Sequence, residues 1–175
     1  MKMKRLVFII TCALMAGSLL AQTKELEALS KLKDLEYIHV DKATFKKLAE
    51  TKGAIKTSKG DLLGDPDGKI FKMFDEAIII LTESNDAAEK VFKSAESYIK
   101  VGKLEQIFEA KRNFEGYNDY IKVYHVSEAD KHTYAFIGRD EKWKACFCMF
   151  KGPIELPPLN METLMDLAKG YKYAK

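Results

Sequence analysis

The chain has 175 residues, 47% of them hydrophobic and 31% charged, which is the composition of an ordinary folded domain. Its formal charge of +3 comes from 29 Lys and Arg against 26 Asp and Glu. The first 21 residues hold three basic residues and no acidic one, so residues 22–175 carry 26 of each sign and no net charge. This balance lacks the basic excess typical of nucleic-acid-binding domains, and we expect no nucleic-acid partner.

The first 21 residues have the pattern of a secretory signal peptide. Three basic residues precede an apolar run from Leu6 to Leu20, and the small Ala21 stands before the polar Gln22. The run is shorter than the roughly twenty residues that a membrane-spanning helix needs. We therefore predict cleavage between Ala21 and Gln22, export to the periplasm, and no transmembrane anchor after cleavage. An uncleaved N-terminal anchor is the alternative.

The cysteines indicate neither a lipid anchor nor a disulfide scaffold. A lipoprotein leader ends its apolar run at the acceptor cysteine, whereas Cys12 lies in the middle of the run. We therefore expect no lipoprotein anchoring. After cleavage only Cys146 and Cys148 remain, too few for a disulfide-based fold, so packing must stabilise the domain.

Helices and strands are mixed in the first part of the exported chain. Spacing and capping residues predict five elements: a helix over 24–33, a strand over 35–40, a helix from Asp41 to about Gly53, a strand over 74–82, and a helix from Ser84 or Asn85. Residues 53–69 contain four glycines, three aspartates and a proline, and are predicted to form a long loop.

The second part is predicted to be mostly β. Turn-prone segments separate four strands, over 104–112, 119–127, 133–139 and 142–151. Pro157 and Pro158 then break the chain, and Asn160 begins a final helix that Gly170 ends. The fold class is therefore α+β: helices packed on an antiparallel or mixed β-sheet, with a C-terminal β-meander and a final helix, in one domain over 22–175.

The cysteine pair is predicted to be structural. Cys146 and Cys148 share a strand face, but their Cα atoms are expected roughly 6.5–7 Å apart, at the outer limit for a disulfide. No second cysteine cluster is present in the sequence to complete a soft-metal site. We therefore expect two buried side chains in an apolar strand.

The other polar residues give no recognisable catalytic or metal motif. His39, His125 and His132 show neither the HxH nor the HExxH spacing of metal sites, and no serine lies in a G-x-S-x-G setting. Asp61 and its neighbouring loop acids lack the oxygen spacing of a calcium loop and favour a turn. We therefore predict no catalytic, cofactor-binding or metal-binding residues.

Aromatic residues are concentrated in the predicted meander. Tyr120, Lys122 and Tyr124 are evenly spaced, so a strand would place them on one face. An exposed aromatic face is typical of a binding surface, and we predict a binding surface at these three residues. Ordinary sheet packing is the alternative explanation for the aromatic enrichment.

The order of elements resembles that of the DUF4252 family. The resemblance rests on the segments LEYIHVDKATFKKLAE, DEAIIILTES, NDAAEKVFKSAESYIK and CFCMFKGPIELPPLNMETLMDLA, and covers about Leu35 to Leu167. It implies a small exported protein of Bacteroidetes with no defined function and no established catalytic residues. Many members are lipoproteins, from which this chain departs, and some lie near genes for extracytoplasmic-function sigma factors.

Three hypotheses for function follow. The first is a non-enzymatic cell-envelope protein that binds another envelope component or takes part in signalling. The second is a periplasmic small-molecule-binding protein with an apolar pocket, of roughly 300 Å³ or more, between sheet and helices. The third is a hydrolase whose histidines and carboxylates come together only in the folded chain. The third fails if the three histidines are mutually distant and lack acidic or nucleophilic neighbours.

Overall fold

The computed structural model describes residues 24, 26–65, 67–114 and 117–156. The predicted signal peptide and the helix predicted from Asn160 lie outside these residues. The described elements are β1 (Leu35–Asp41), α1 (Lys42–Thr51), β2 (Ala54–Thr57), β3 (Gly60–Gly64), a 3-10 turn (Phe71–Met73), β4 (Glu76–Thr82), α2 (Asn85–Val101), β5 (Glu105–Phe114), β6 (Tyr117–Glu128), β7 (Lys131–Arg139) and β8 (Ala145–Gly152). Residues 26–29 are also helical.

Six strands form one antiparallel sheet in the order β1-β4-β8-β7-β6-β5, and β2 and β3 form a separate two-stranded hairpin. Strands β5 to β8 follow one another as a meander, and β8 then pairs with β4. The α+β class is thus confirmed, and the main sheet is antiparallel throughout.

The two faces of the sheet carry separate apolar clusters. The first, which we call the helix face, packs against α2 and the helical residues 26–29. Its buried members are Leu26, Leu29, Ile78, Ile80, Ala88, Val91, Ala95, Tyr98, Ile99, Leu104, Ala135, Ile137, Ala145, Phe147 and Met149. The second, the hairpin face, packs against α1, the β2–β3 hairpin and the 3-10 turn. Its buried members are Val40, Phe45, Ala49, Ile55, Phe71, Phe74, Ala77, Ile79, Leu81, Trp143 and Cys148.

The three consecutive isoleucines of β4 show how one strand supplies both clusters. Ile78 and Ile80 belong to the helix face, while Ile79 belongs to the hairpin face, and all three are at most 1% exposed. A strand in the middle of a sheet with both faces covered needs apolar residues at every position. The sequence prediction of a strand covered on both sides is confirmed here.

Capping side chains fix where both main helices begin. The carboxylate of Asp41 accepts a hydrogen bond of 2.8 Å from the backbone N–H of Thr44, at the start of α1. Ser84 caps α2, because its hydroxyl accepts from the backbone N–H of Ala87 at 3.4 Å. Of the two capping residues predicted for this helix, Ser84 is therefore the one used.

The prediction of a long loop over 53–69 is wrong for most of that segment. Residues Ala54–Thr57 and Gly60–Gly64 pair as an antiparallel hairpin. Its tight turn requires Gly60, whose φ is +109°, and the hydroxyl of Thr57 donates to the carbonyl of Gly60. Gly60, one of the glycines that suggested an unstructured loop, therefore serves the turn of this hairpin. None of the described helices is long and apolar enough to cross a membrane.

Candidate functional site

Strand β6 carries candidate residues on both of its faces. The register places Tyr124 opposite Ala135 of β7, which belongs to the helix face, and His125 opposite Tyr134. Because successive side chains of a strand point to opposite faces, Tyr120, Lys122 and Tyr124 share the helix face while His125 lies on the hairpin face. One strand thus supplies two separate sites.

We call the first site the tyrosine surface: Tyr120, Lys122 and Tyr124 with their neighbours Phe92 and Arg139. The Tyr120 ring lies 6.1 Å from the ring of Phe92 on α2, with 30° between the planes. The guanidinium of Arg139 also lies over the Tyr120 ring, 5.5 Å from its centroid. Both tyrosines and Lys122 are half-buried. Contact with α2 and β7 therefore restricts the orientation of the Tyr120 ring.

Burial raises the pKa of both phenols of the tyrosine surface, so both stay protonated at neutral pH. Burial raises the pKa of Tyr120, with Arg139 acting in the opposite direction and Glu96 adding to the rise. Burial also raises the pKa of Tyr124, helped by Glu109 and Glu96. Each phenol is thus a neutral hydrogen-bond donor and acceptor. The role of this surface in binding stays a prediction.

The second site is on the hairpin face, where His125, His132 and Tyr134 form what we call the histidine stack. Nε2 of His125 and Nδ1 of His132 are 3.1 Å apart, at hydrogen-bond distance, and the ring planes differ by 5°. The Tyr134 ring stacks on His125, with centroids 4.5 Å apart. The Tyr134 hydroxyl accepts a hydrogen bond of 2.8 Å from the backbone N–H of Leu156.

The surroundings of His125 favour its neutral form. Burial lowers the pKa of this imidazole, and the proximity of His132 lowers it further. The carboxylates of Glu155 and Glu105 act in the opposite direction without reversing the shift. At neutral pH the ring therefore keeps a lone pair available for a hydrogen bond or for a ligand.

Spacing rules missed the histidine stack because it forms across a hairpin. The turn between β6 and β7 pairs Glu128 with Lys131, which brings His132 opposite Ser127 and one diagonal step from His125. The signal in the sequence was the turn-prone EADKH segment, but the register itself comes from the folded hairpin. His39 lies on the distant strand β1, with Nε2 3.1 Å from Oε1 of Glu76. Two of the three histidines are thus in contact and the third has an acidic neighbour, so the hydrolase hypothesis is not rejected.

The cysteines lie within the hairpin-face cluster. Their Sγ atoms are 3.6 Å apart, and both thiols are free. Contact with Cys146 and burial raise the pKa of Cys148, so this thiol is held in its unreactive form. Within the described parts of the chain, no group of three or more His, Cys, Asp and Glu is arranged to hold a metal ion.

The loop aspartates have a structural role at Asp65. This residue is 1% exposed, and its carboxylate accepts hydrogen bonds from the backbone N–H groups of Lys69 and Phe71, at 2.9 Å and 2.7 Å. Asp61 and Asp67 are exposed. Asp65 thus closes the turn after β3, in agreement with the predicted turn.

A half-open cleft of about 590 Å³ lies where β1 begins and β4 ends. It is lined by Asp34, Leu35, Glu36, Leu81, Glu83, Ser84 and Trp143. Lys59 of the hairpin reaches this end of the sheet, with Nζ 2.8 Å from a Glu83 oxygen and 4.7 Å from the Trp143 ring centroid. The cleft is at the end of the sheet, whereas the helix-face cluster fills the space between sheet and α2. This cleft is therefore not the pocket between sheet and helices of the second hypothesis, which stays a prediction.

No protein-family model matches the sequence, and no curated protein matches it at a significant level. The fold and the geometry of the two sites are therefore the basis for any functional proposal.

Proposed function

We propose that this chain is an exported, non-enzymatic protein of the cell envelope that binds a partner protein through the tyrosine surface. Its main support is the grouping of two half-buried tyrosines, a lysine and an arginine on one face of the sheet. Tyrosine and arginine are enriched where proteins bind one another. The leader and the DUF4252 resemblance support the envelope location.

The chemistry of the tyrosine surface suits a protein partner with mixed charge. Two neutral phenols offer hydrogen bonds to backbone groups, and their rings offer apolar area that loses little conformational entropy on binding. Lys122 lies opposite Glu109 in the register of β5 and β6, so both signs of charge are present. Such a surface favours specific recognition over general attraction to a polyanion.

Capture from envelope extract tests the binding surface. We expect the purified wild-type chain to retain a reproducible partner, and expect Tyr124→Ala and Lys122→Glu to reduce its recovery at least tenfold. Lys46→Glu is the matched control, because Lys46 is exposed on α1, which packs on the opposite face of the sheet. Equal recovery by all four proteins, or no reproducible partner, would contradict the proposal.

Intact-mass analysis tests the export part of the proposal. If the leader is removed, the protein recovered from the periplasm begins at Gln22. A mass equal to that of all 175 residues would instead indicate an uncleaved anchor. This measurement is independent of partner binding.

We also propose that the chain is a member of the DUF4252 family, on the strength of its sequence segments alone. A solved structure of an established member tests this directly. The expected result is the strand order β1-β4-β8-β7-β6-β5 with a helix between β4 and β5. A different strand order would reject membership.

A further inference from the structure

We propose that the chain forms a two-fold symmetric dimer in which β5 pairs with β5 of a second copy as antiparallel edge strands. Within the described residues, β5 has a neighbouring strand on one side only, because it ends the order β1-β4-β8-β7-β6-β5. Its outer side therefore presents backbone N–H and C=O groups to which a further strand can pair. The proposal concerns this strand edge and does not depend on partner binding by the tyrosine surface.

The regular part of β5 begins at Phe108. The register between β5 and β6 shifts between Gln106 and Phe108, which makes Ile107 the extra residue of a bulge. Ile107 is 45% exposed. A bulge disrupts strand pairing locally, so a second strand has to pair beyond it. From Phe108 to Phe114, β5 pairs with β6 without further interruption, and this stretch is the edge available to a second copy.

Two opposite charges lie next to each other on this edge. Nζ of Lys111 lies 2.8 Å from Oε1 of Glu109, and both residues are exposed. They are two positions apart, so their side chains share the helix face of the sheet. The hydrogen bond between them lowers the pKa of Glu109 and raises the pKa of Lys111, so both are charged at neutral pH. The edge therefore presents one charge of each sign in a fixed order.

These two charges select one antiparallel register. With the two-fold axis at Ala110, Glu109 of each copy lies opposite Lys111 of the other copy. With the axis one residue away, at Glu109 or at Lys111, two like charges lie directly opposite each other, which is destabilising. An axis between two residues would place side chains of opposite faces against each other. The edge is therefore complementary to itself when Ala110 is at the centre.

The β6 strand extends this complementarity. Lys122 lies opposite Glu109 in the register of β5 and β6. In the dimer, Glu109 then has Lys122 on one side and Lys111 of the second copy on the other. Ion pairs joined in a network contribute more than isolated exposed pairs. The two six-stranded sheets join into one, with the tyrosine surfaces of both copies on the same side.

The net charge and the other edge of the sheet agree with this choice. Residues 22–175 carry equal numbers of basic and acidic residues, so overall repulsion does not keep two copies apart. At the β1 edge, the turn of the β2–β3 hairpin contacts the strand, since the backbone N–H of Ser58 donates to Glu36. Pairing of β5 edges alone buries less than the roughly 1,200 Å² of a stable interface, so we expect a dimer that depends on concentration.

Sedimentation velocity of the purified protein over a range of concentrations tests the proposal. We expect a monomer–dimer equilibrium that is weakened roughly tenfold or more in Glu109→Lys and in Lys111→Glu, because each variant places like charges opposite each other twice. An equimolar mixture of these two variants should regain dimerisation, since two lysines of one copy then face two glutamates of the other. Lys46→Glu, exposed on α1, is the matched control and should behave as the wild type. Circular dichroism checks that each variant is folded.

Cysteine crosslinking locates the two-fold axis. In Ala110→Cys the two thiols face each other across the axis, with Cα atoms about 4.5–5.5 Å apart, within the range of a disulfide. Oxidised glutathione should convert this variant into a covalent dimer. Glu105→Cys is the control, because its two copies lie about 30 Å apart along the paired strands and should not crosslink.

The proposal is overturned if the wild type stays monomeric up to about 0.5 mM, a concentration above that of weak specific dimers. It is also overturned if both charge variants dimerise like the wild type, if their mixture stays monomeric, or if Glu105→Cys crosslinks as well as Ala110→Cys. Tyr124→Ala should leave self-association unchanged. Failure of the dimer is therefore distinguishable from failure of partner capture by the tyrosine surface.

Discussion

At the scale of single residues, the buried carboxylate of Asp65 accepts hydrogen bonds from backbone N–H groups outside the regular strands. The described residues between β3 and the 3-10 turn belong to no helix or strand that would satisfy their backbone N–H groups. The N–H of Lys69, just before the 3-10 turn, and the N–H of Phe71, its first residue, donate to Asp65, which is 1% exposed. Buried backbone donors without partners are costly, so this side chain stabilises the loop.

Replacement of Asp65 by alanine should therefore be strongly destabilising. We expect Asp65→Ala to lower the free energy of unfolding by about 3 kcal/mol, because two charge-assisted hydrogen bonds are lost in a buried site. Asp61→Ala, at an exposed position of β3, should change it by less than about 0.5 kcal/mol. Urea denaturation measures both values. Similar losses in the two variants would contradict the role given to Asp65.

The lowered pKa of His125 predicts how the stability of the fold depends on pH. Burial and His132 lower its pKa in the folded state, so the unfolded chain binds the extra proton more readily. The free energy of unfolding should therefore fall as pH drops below about 6.5, the ordinary histidine pKa, until pH is below the lowered folded value. His125→Asn should make the dependence between pH 8 and pH 5 shallower.

Urea denaturation in EDTA at a series of pH values measures this dependence. Ala129→Asn is the control, since residue 129 has a φ of +55° in the turn, a conformation that asparagine adopts readily. In the control, the free energy of unfolding should change with pH as steeply as in the wild type. If it changes as steeply in His125→Asn too, this histidine does not contribute to the pH dependence of stability.

At the scale of elements, the β2–β3 hairpin is attached to the sheet through its turn. Lys59 donates to the carbonyl of Lys142 at 2.9 Å, pairs with Glu83, and lies over the ring of Trp143. The backbone N–H of Ser58 donates to the carboxylate of Glu36 on β1. These contacts hold the hairpin turn against the end of the sheet, beside the cleft.

The single tryptophan of the chain reports on this attachment. Trp143 is 7% exposed, so loss of the hairpin contact should expose its ring to water. We expect Lys59→Ala to shift the Trp143 emission to longer wavelength, and Lys56→Ala, at an exposed position of the same hairpin, to leave it unchanged. Fluorescence spectra of the folded proteins measure the shift. Identical spectra would show that Lys59 does not hold the hairpin.

Local signals explain which elements could be predicted. Asp41 and the Ser84 region marked helix starts, and alternation in 120–126 marked a strand, because each depends on neighbours in sequence. The β2–β3 hairpin was missed because its glycines and aspartates resemble those of a loop. The contact between His125 and His132 was missed because it depends on the register of two strands.

At the scale of the whole molecule, the sheet separates two apolar clusters, and β4 and β8 contribute to both. The helix-face cluster joins α2 to strands that are far apart in sequence. Phe147 of β8 is fully buried there and lies 5.8 Å from the ring of Tyr98 on α2. The position of α2, and with it the Phe92 side of the tyrosine surface, depends on this packing.

Loss of Phe147 should therefore affect the whole fold. We expect Phe147→Ala to lower the free energy of unfolding by about 4 kcal/mol, because the cavity cannot close without moving α2. Val101→Ala, at a position 49% exposed at the end of α2, should cost less than about 0.5 kcal/mol. Thermal and urea unfolding measure both. A small loss for Phe147→Ala would mean that α2 is not held by this cluster.

Site-specific photo-crosslinking in cells that export the chain tests most directly whether the tyrosine surface binds a partner. With the photoreactive group at position 124, we predict one discrete crosslinked product, and we predict its loss when Lys122→Glu is added. With the group at position 46, on α1, no such product should form. The same product from both positions, or no product from position 124, would contradict binding through this surface.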